Sequence, residues 1–329
     1  MKKENIHGDY VETKSKEAYD IFKLKNDLLP LVNKKENIYD IAYVEQYDFS
    51  RANMSDESRT LAITTIATVC TQKFDSIGSE KLCTKLLTEA HGIPSSAYGF
   101  VPILLNQQKR SSWYKLKQLT HAIKPHSHCS KFGQWVENGE YLLTNLRALV
   151  NDIGLEASKE FYNTDENEIA IIKKHFKVFK HKMDMISARQ FLRHTTAVWQ
   201  ELSRRYVSGK KVPFEFYVCE SMKNVKWTKT LHFSGDFGSE HTEKVDVTTQ
   251  QLIDDSVEHY FQALEQGVKP QQARYIIHPC AYTEVWSGWQ PFALENMLTE
   301  RTAIGTQWEL RQTALAIKEL IGANDEKIS

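Results

Sequence analysis

Residues 189–206 read Arg-Gln-Phe-Leu-Arg-His-Thr-Thr-Ala-Val-Trp-Gln-Glu-Leu-Ser-Arg-Arg-Tyr, the densest polar constellation in the chain. If the run is helical to about His194, Gln190 and Arg193 lie one turn apart and share a face. An Arg suits a phosphate, and a Gln amide can pair with a base or sugar edge. A second cluster follows: Ala273-Arg274, Tyr282-Thr283, Asn296, Arg301 and Gln307-Trp308-Glu309-Leu310-Arg311. On spacing alone, both clusters read first as solvated helix faces with ion pairs such as Glu201–Arg205. Two separated Arg-rich clusters could also converge on one anionic small molecule.

The two clusters together resemble flavin-dependent thymidylate synthases. That family's signature is Arg-His-Arg followed at fixed spacing by Ser, Asn-Glu, Ser and Arg-Tyr. Arg193-His194, Glu201, Ser203 and Arg205-Tyr206 keep the spacing, with Arg189-Gln190 before and Phe216-Tyr217 after. Ala273-Arg274, Tyr282-Thr283, Asn296, Arg301 and Gln307-Trp308-Glu309 match in order. The resemblance is weak over residues 38–104 and good over 170–321.

The resemblance implies synthesis of thymidylate from deoxyuridylate (dUMP). A bound FAD takes hydride from NADPH, and methylenetetrahydrofolate supplies the carbon placed on uracil C5. The alternatives are C5 modification of another pyrimidine nucleotide, by methyl or hydroxymethyl, and a catalytically reduced nucleotide-binding homologue. Carried over, the substrate set is Gln190, Arg193, Glu201, Ser203, Arg204, Arg205, Arg274 and Arg301. Of these, Arg193, Ser203 and Arg205 suit phosphate and sugar. Arg301, Arg274 and Ser203 are the expected catalytic set. A fixed cation at the uracil edge stabilises anionic N3 or O4 as C5 becomes nucleophilic.

The implied flavin contacts are His194, Thr195, Glu201, Asn296 and His91, and here the sequence departs from the family. The second signature Arg is Thr195, its Ser is Val198 and its Asn is Gln200. The family's Glu-His pair near the N-terminus is Ser96-Ala97, and its Asn-x-Arg is Gln290-Pro291-Phe292. Each lost charged contact removes a bond of roughly 1.5–3 kcal/mol, so a weakened FAD site is expected. The family forms homotetramers, which sets the expected assembly.

Composition bounds the rest. The chain has 329 residues, 41% hydrophobic and 26% charged, and its 42 basic and 42 acidic side chains cancel. A neutral chain lacks the field that holds a polyelectrolyte, so no nucleic-acid partner is expected. No segment approaches the ~20 apolar residues of a membrane span, and no signal peptide opens the sequence. Five cysteines with no Cys-x-x-Cys pair read as reduced thiols, giving a cytoplasmic expectation. His121, His126, His128 and Cys129 match no common zinc spacing, so no metal is expected. Lys109, Arg110, Trp113, Tyr114, Lys115 and Lys117 read as an amphipathic surface helix, with a folate tail or nucleic acid as alternative contacts.

Irregularly mixed strands and helices predict an α+β fold: a mixed sheet with packed helices and an inserted segment. Residues 1–37 form an extension, 38–321 a catalytic domain with an insertion at about 105–165, and 322–329 a tail. Alternation predicts a strand over Ile38–Phe49, with Ile41, Tyr43 and Tyr47 on one side. Helices are predicted from Ser55 to Cys70 and from Ser79 to Gly92. Leu142, Leu146, Leu149 and Ile153 recur at helical spacing before Gly154. Residues 171–182 read as a strand, turning helical at about Asp184. Residues 212–218 and 227–247 read as strands, the latter turning at 235–238. Thr248 and Gln251 form a capping box for a helix stopped by Gly267. Pro291 opens another helix, and a last one runs from about Thr302 to Ile321.

Overall fold

Alternating side chains on one sheet organise most of the molecule. The computed structural model describes residues 36–88, 95–121, 133–234 and 240–322. These fall into two units. The first comprises the described residues up to Met183, Ser187–Ser203 and those from Thr283 onward. The second comprises Asp184–Ile186 and Arg204–Tyr282.

In chain order the strands are β1 (Glu36–Asn37), β2 (Tyr43–Tyr47), β3 (Pro102–Leu105), β4 (Gln134–Val136), β5 (Tyr141–Asn145), β6 (Lys177–Asp184), β7 (Val198–Glu201), β8 (Lys226–Ser234), β9 (Glu240–Thr248) and β10 (Tyr282–Trp289). The longer helices are α1 (Asp56–Thr71), α2 (Glu80–Thr88), α3 (Gln107–His121), α4 (Leu146–Ile153), α5 (Glu166–His175), α6 (Met185–Phe191), α7 (Thr249–Glu265), α8 (Pro291–Arg301) and α9 (Trp308–Leu320). The fold is α+β.

The first unit holds a five-stranded sheet in the order β1-β2-β6-β10-β7. Strands β1 and β6 pair antiparallel with β2, and β7 pairs antiparallel with β10. Successive residues serve opposite faces. Tyr47, Val178, Val198 and Trp286 enter one core, lined by α1 and the strands β3 and β5. Val44, Phe179 and Val285 enter another, filled by Phe191 of α6, Leu294 and Met297 of α8 and Leu310, Ala314 and Ile317 of α9. The second core fixes the ends of α6 and α8, which carry the candidate site. In the second unit β8 and β9 form an antiparallel hairpin. The Thr248–Gln251 capping box opens α7, and Gly267 adopts φ +86° just past its end.

The described residues of 105–121 and 133–165 build a folded layer. Strands β3, β5 and β4 pair antiparallel, and Trp113, Leu142, Leu143 and Leu149 are buried in the first core. Helix α3 has the expected amphipathic character. Lys109 pairs with Glu168 at 2.7 Å and Lys117 with Asp152 at 3.3 Å.

Several boundaries differ from expectation. The predicted strand over 38–49 is shortened to β2, and Ile41 is exposed in the turn before it. Leu142 lies in a strand, not a helix: β5 is buried on both faces, so alternation is lost and Leu142 and Leu143 are both internal. Residues 171–175 are helical, because Asp165 caps α5 and Ile169, Ile172 and Phe176 follow a helical period. Helix α6 ends at Phe191, short of His194. Residues 212–218 make one bridge, Phe216 to Ala281, instead of a strand. The last helix begins at Trp308, after a turn. Residues 1–35, His91, the turn at 235–238, His126, His128, Cys129 and residues 323–329 lie outside the described residues, as does the side chain of His121.

Candidate functional site

The signature residues sit where α6 stops and β7 begins. Arg193 N–H bonds the Gln190 carbonyl at 3.4 Å, and His194 N–H the Phe191 carbonyl at 3.1 Å. These bonds tighten the last turn and throw Arg193 and Thr195 to the surface, while His194 is only 6% exposed. The Trp199 indole N–H donates to the His194 carbonyl at 3.0 Å. Phe191 and Trp289 pack around the imidazole, with centroids 6.3 and 6.1 Å away.

The end of α8 brings Arg301 to this imidazole. Arg301 Nε–H donates to His194 Nε2 at 2.8 Å. Glu300 is more distant, with Oε2 3.9 Å from His194 Nε2 and 3.8 Å from Arg301 Nη2. Burial, and next the Arg301 charge, hold the His194 pKa below its usual value. Two residues expected in different sets, His194 for flavin and Arg301 for nucleotide, are therefore bonded to each other. The Gln190 amide donates to Gln307, whose own amide donates to Glu309 at 3.0 Å.

Strand β7 carries the rest of the signature in this unit. Glu201 Oε1 accepts from the Thr283 hydroxyl at 3.0 Å, and Ser203 follows the strand, half-buried. Cys70 contacts the Glu201 carbonyl at 3.0 Å. Gln200 Nε2 lies 2.6 Å from Cys70 Sγ, and Gln200 Oε1 accepts from the Ser96 hydroxyl. Sequence reasoning marked Ser96 and Gln200 as separate losses and missed that they pair. The signal was that both had changed at once. Burial pushes the Cys70 thiol up to about 11. Val198 is buried in the first core. Asn296 is exposed on α8 and its amide donates to Glu300 at 3.2 Å. Gln290 is buried, with its amide 3.4 Å from the Leu143 carbonyl.

In the second unit, Arg205 and Arg274 are both exposed and meet one residue. Arg205 Nε donates to Gln271 Oε1 at 3.2 Å, and Arg274 Nε to the Gln271 carbonyl at 3.1 Å. Gln271, which no motif flagged, thus gathers two cations from distant parts of the sequence. Such a pair suits a phosphate or carboxylate. Arg204, expected beside them, instead serves the backbone: it donates to the Val212 and Pro213 carbonyls and stacks 4.3 Å above Phe214.

The chemistry these residues offer is binding and electrostatic. Burial also raises the Cys83 and Cys280 thiols, so neither is an activated nucleophile. Among the described residues no cluster of three or more metal-ligating side chains occurs, and no helix is long and apolar enough to cross a membrane.

Residues 171–324 match the family described as "Thymidylate synthase complementing protein". The chain is 30% identical over 174 residues to a flavin-dependent thymidylate synthase of Aquifex aeolicus, covering 53% of this chain and 49% of that one. It is 30% identical over 142 residues to one of Thermotoga neapolitana, covering 43% and 59%. One from Thermus thermophilus is 31% identical over 160 residues, covering 48% and 55%. The matches thus span about half the length of these relatives.

Proposed function

We propose, from the premise that residues 171–324 make this chain a member of the thymidylate synthase complementing protein family, that it methylates uracil C5 of dUMP to give dTMP. Methylenetetrahydrofolate would supply the carbon, and NADPH with FAD the hydride. The observation that carries this reading is the pairing of the two motifs: Arg301 bonds His194, and Arg205 and Arg274 meet at Gln271. Each pair joins one residue of each motif or its close neighbour.

Arg193, Arg205 and Ser203 would bind phosphate and sugar, with charge-assisted bonds from the two guanidinium groups. Gln190 would offer its amide to the nucleotide. Arg301 and Arg274 would hold positive charge at the uracil edge, where negative charge grows as C5 attacks the one-carbon unit. Glu201 would keep its place through Thr283. The thiols are not called on.

A flavin, when bound, carries hydride between the nicotinamide and the transferred carbon. The described residues fit it through hydrogen bonds: Thr195 is exposed at the turn, Asn296 is exposed on α8, and His194 keeps Nδ1 for a donor role. They supply no cation at the Thr195, Ala97 or Phe292 positions, where the resembled family carries Arg, His and Arg, which supports a weakly held FAD. We further propose a family-type fold for residues 38–321, with 105–165 as an added layer, 1–37 as an extension and 322–329 as a tail. A homotetramer in the cytoplasm completes the reading.

Mass analysis of the nucleotide after incubation with dUMP, FAD, NADPH and methylenetetrahydrofolate tests it. A methyl gain on the base is expected. A hydroxymethyl gain would replace the reaction assigned. Binding of dUMP with no product under any addition would identify a nucleotide-binding protein instead.

A further inference from the structure

We propose that His194 is a positioning residue for Arg301: its neutral imidazole accepts the Arg301 Nε–H and so aims the two Nη groups at the substrate. The inference rests on the reaction assigned above, and it gives His194 Nε2 a role of its own beside the flavin donor role of Nδ1. The geometry is directional. An Arg Nε can only donate, so at 2.8 Å the facing Nε2 must be the acceptor and the imidazole proton must sit on Nδ1. Among the described residues this is the only hydrogen bond from the Arg301 guanidinium. Its remaining contact is the looser Nη2–Glu300 approach at 3.8 Å. The Nη edge, with four N–H donors, is left to face a ligand.

The residue is itself held in place. Trp199 fixes its backbone carbonyl, and the Phe191 and Trp289 rings enclose it. The charged groups facing it are Arg301 and Glu300, both from α8. A flexible Arg would lose rotamer entropy each time it met the base; one held at Nε has lost much of it in advance. Acid reverses the arrangement. A proton on Nε2 removes the acceptor and sets two cations at hydrogen-bond distance, so Arg301 is released. Because burial and Arg301 both favour neutral His194, release begins only below the usual imidazole range.

The test compares wild type with His194→Phe, which fills the cage without an acceptor, and His194→Gln, whose carbonyl can accept from Nε without titrating. His194→Phe should lower kcat about tenfold or more while dUMP affinity changes less than about threefold. His194→Gln should recover most of that loss and drop the acid limb of the kcat profile. In wild type, the Arg301 Nε–H resonance should shift as His194 titrates, whether or not turnover is measured. Equal kcat and equal pH profiles in wild type and His194→Phe overturn the positioning role alone. So does a Gln variant as impaired as the Phe variant, or an Nε–H resonance blind to His194. A wild type that keeps the contact but makes no product refutes the assigned reaction, and the positioning role falls with it.

Discussion

Gln200 and Ser96 bond to each other across the first unit, side chain to side chain, and Gln200 reaches Cys70 with its other end. Both residues stand where the resembled family places flavin contacts. Here each satisfies the other, so neither is waiting for a ligand. A neutral pair of this kind can yield hydrogen bonds to a flavin only by giving up its own, at about 1 kcal/mol net per bond.

Flavin retention should therefore be poor. Wild type is expected to lose its visible flavin absorbance on desalting and regain it when FAD is added. Thr195→Arg restores a cation at an exposed turn position and should tighten FAD binding about tenfold, the value of one charge-assisted bond. Titration followed by flavin fluorescence reads both effects. Full FAD occupancy that survives dilution in wild type would contradict the expectation.

Acid should destabilise the protein through His181. Its ring is fully buried, with Nε2 2.7 Å from Ser287 Oγ, and the Trp289 indole donates to the same oxygen at 2.7 Å. Nδ1 has no partner among the described residues, and burial lowers the pKa to about 3. The unfolded imidazole takes its proton near pH 6.5, so the unfolded state binds more protons below that value. Stability is then complete above about pH 6.5 and lost as pH falls toward 3. Between about pH 6.5 and 4.5 this group alone should cost about 2 kcal/mol. Urea unfolding at several pH values should show that slope in wild type and a shallower one in His181→Gln. Parallel slopes would rule the assignment out.

Much of the site was legible because it is local. Arg193, His194, Glu201, Ser203 and Arg205 lie in one short stretch, and a helix stop, a turn and a strand carry them in order. The Thr248–Gln251 cap was equally plain, since both bonds fall within four residues. What escaped was non-local. Nothing in the spacing shows that Gln271 joins Arg205 to Arg274, or that Arg301 closes on His194. Leu142 was misplaced for a related reason: pairing on both sides of β5 buries both of its faces and erases the period that marks a strand.

The substitution of Val198 for the family's Ser should be locked in by packing. Val198 pairs with Gly288 across β7 and β10, and a Cβ at Gly288 would meet Val198 Cγ2 at 2.6 Å and Phe176 Cζ at 3.1 Å. Gly288→Ala should cost about 1–3 kcal/mol through overpacking. Val198→Ala alone should cost about 1–2 kcal/mol, by analogy with other buried methyl deletions. Together they should cost less than the sum, because the new methyl occupies vacated space. Additive losses in denaturant melts would show that the two sites do not share that volume.

The last expectation concerns the nucleotide, and it separates charge from placement. dUMP should raise the melting temperature, as any ligand of the native state does. Arg193→Ala and Arg205→Ala should each weaken dUMP binding more than tenfold, or above about 1.4 kcal/mol, if their guanidinium groups bond the phosphate. Gln271→Ala leaves every cation in place but removes the acceptor that holds Arg205 Nε at 3.2 Å. Its effect should be smaller, about two- to fivefold, because Arg205 must then be ordered by the ligand itself. Raised salt should weaken wild type more than Arg205→Ala, since the variant has one cation fewer to screen. Thermal-shift titrations at two salt concentrations measure all four proteins. An Arg205→Ala curve that overlays wild type would remove Arg205 from the phosphate site, and a Gln271→Ala loss as large as that of Arg205→Ala would make placement, not charge, the deciding contribution.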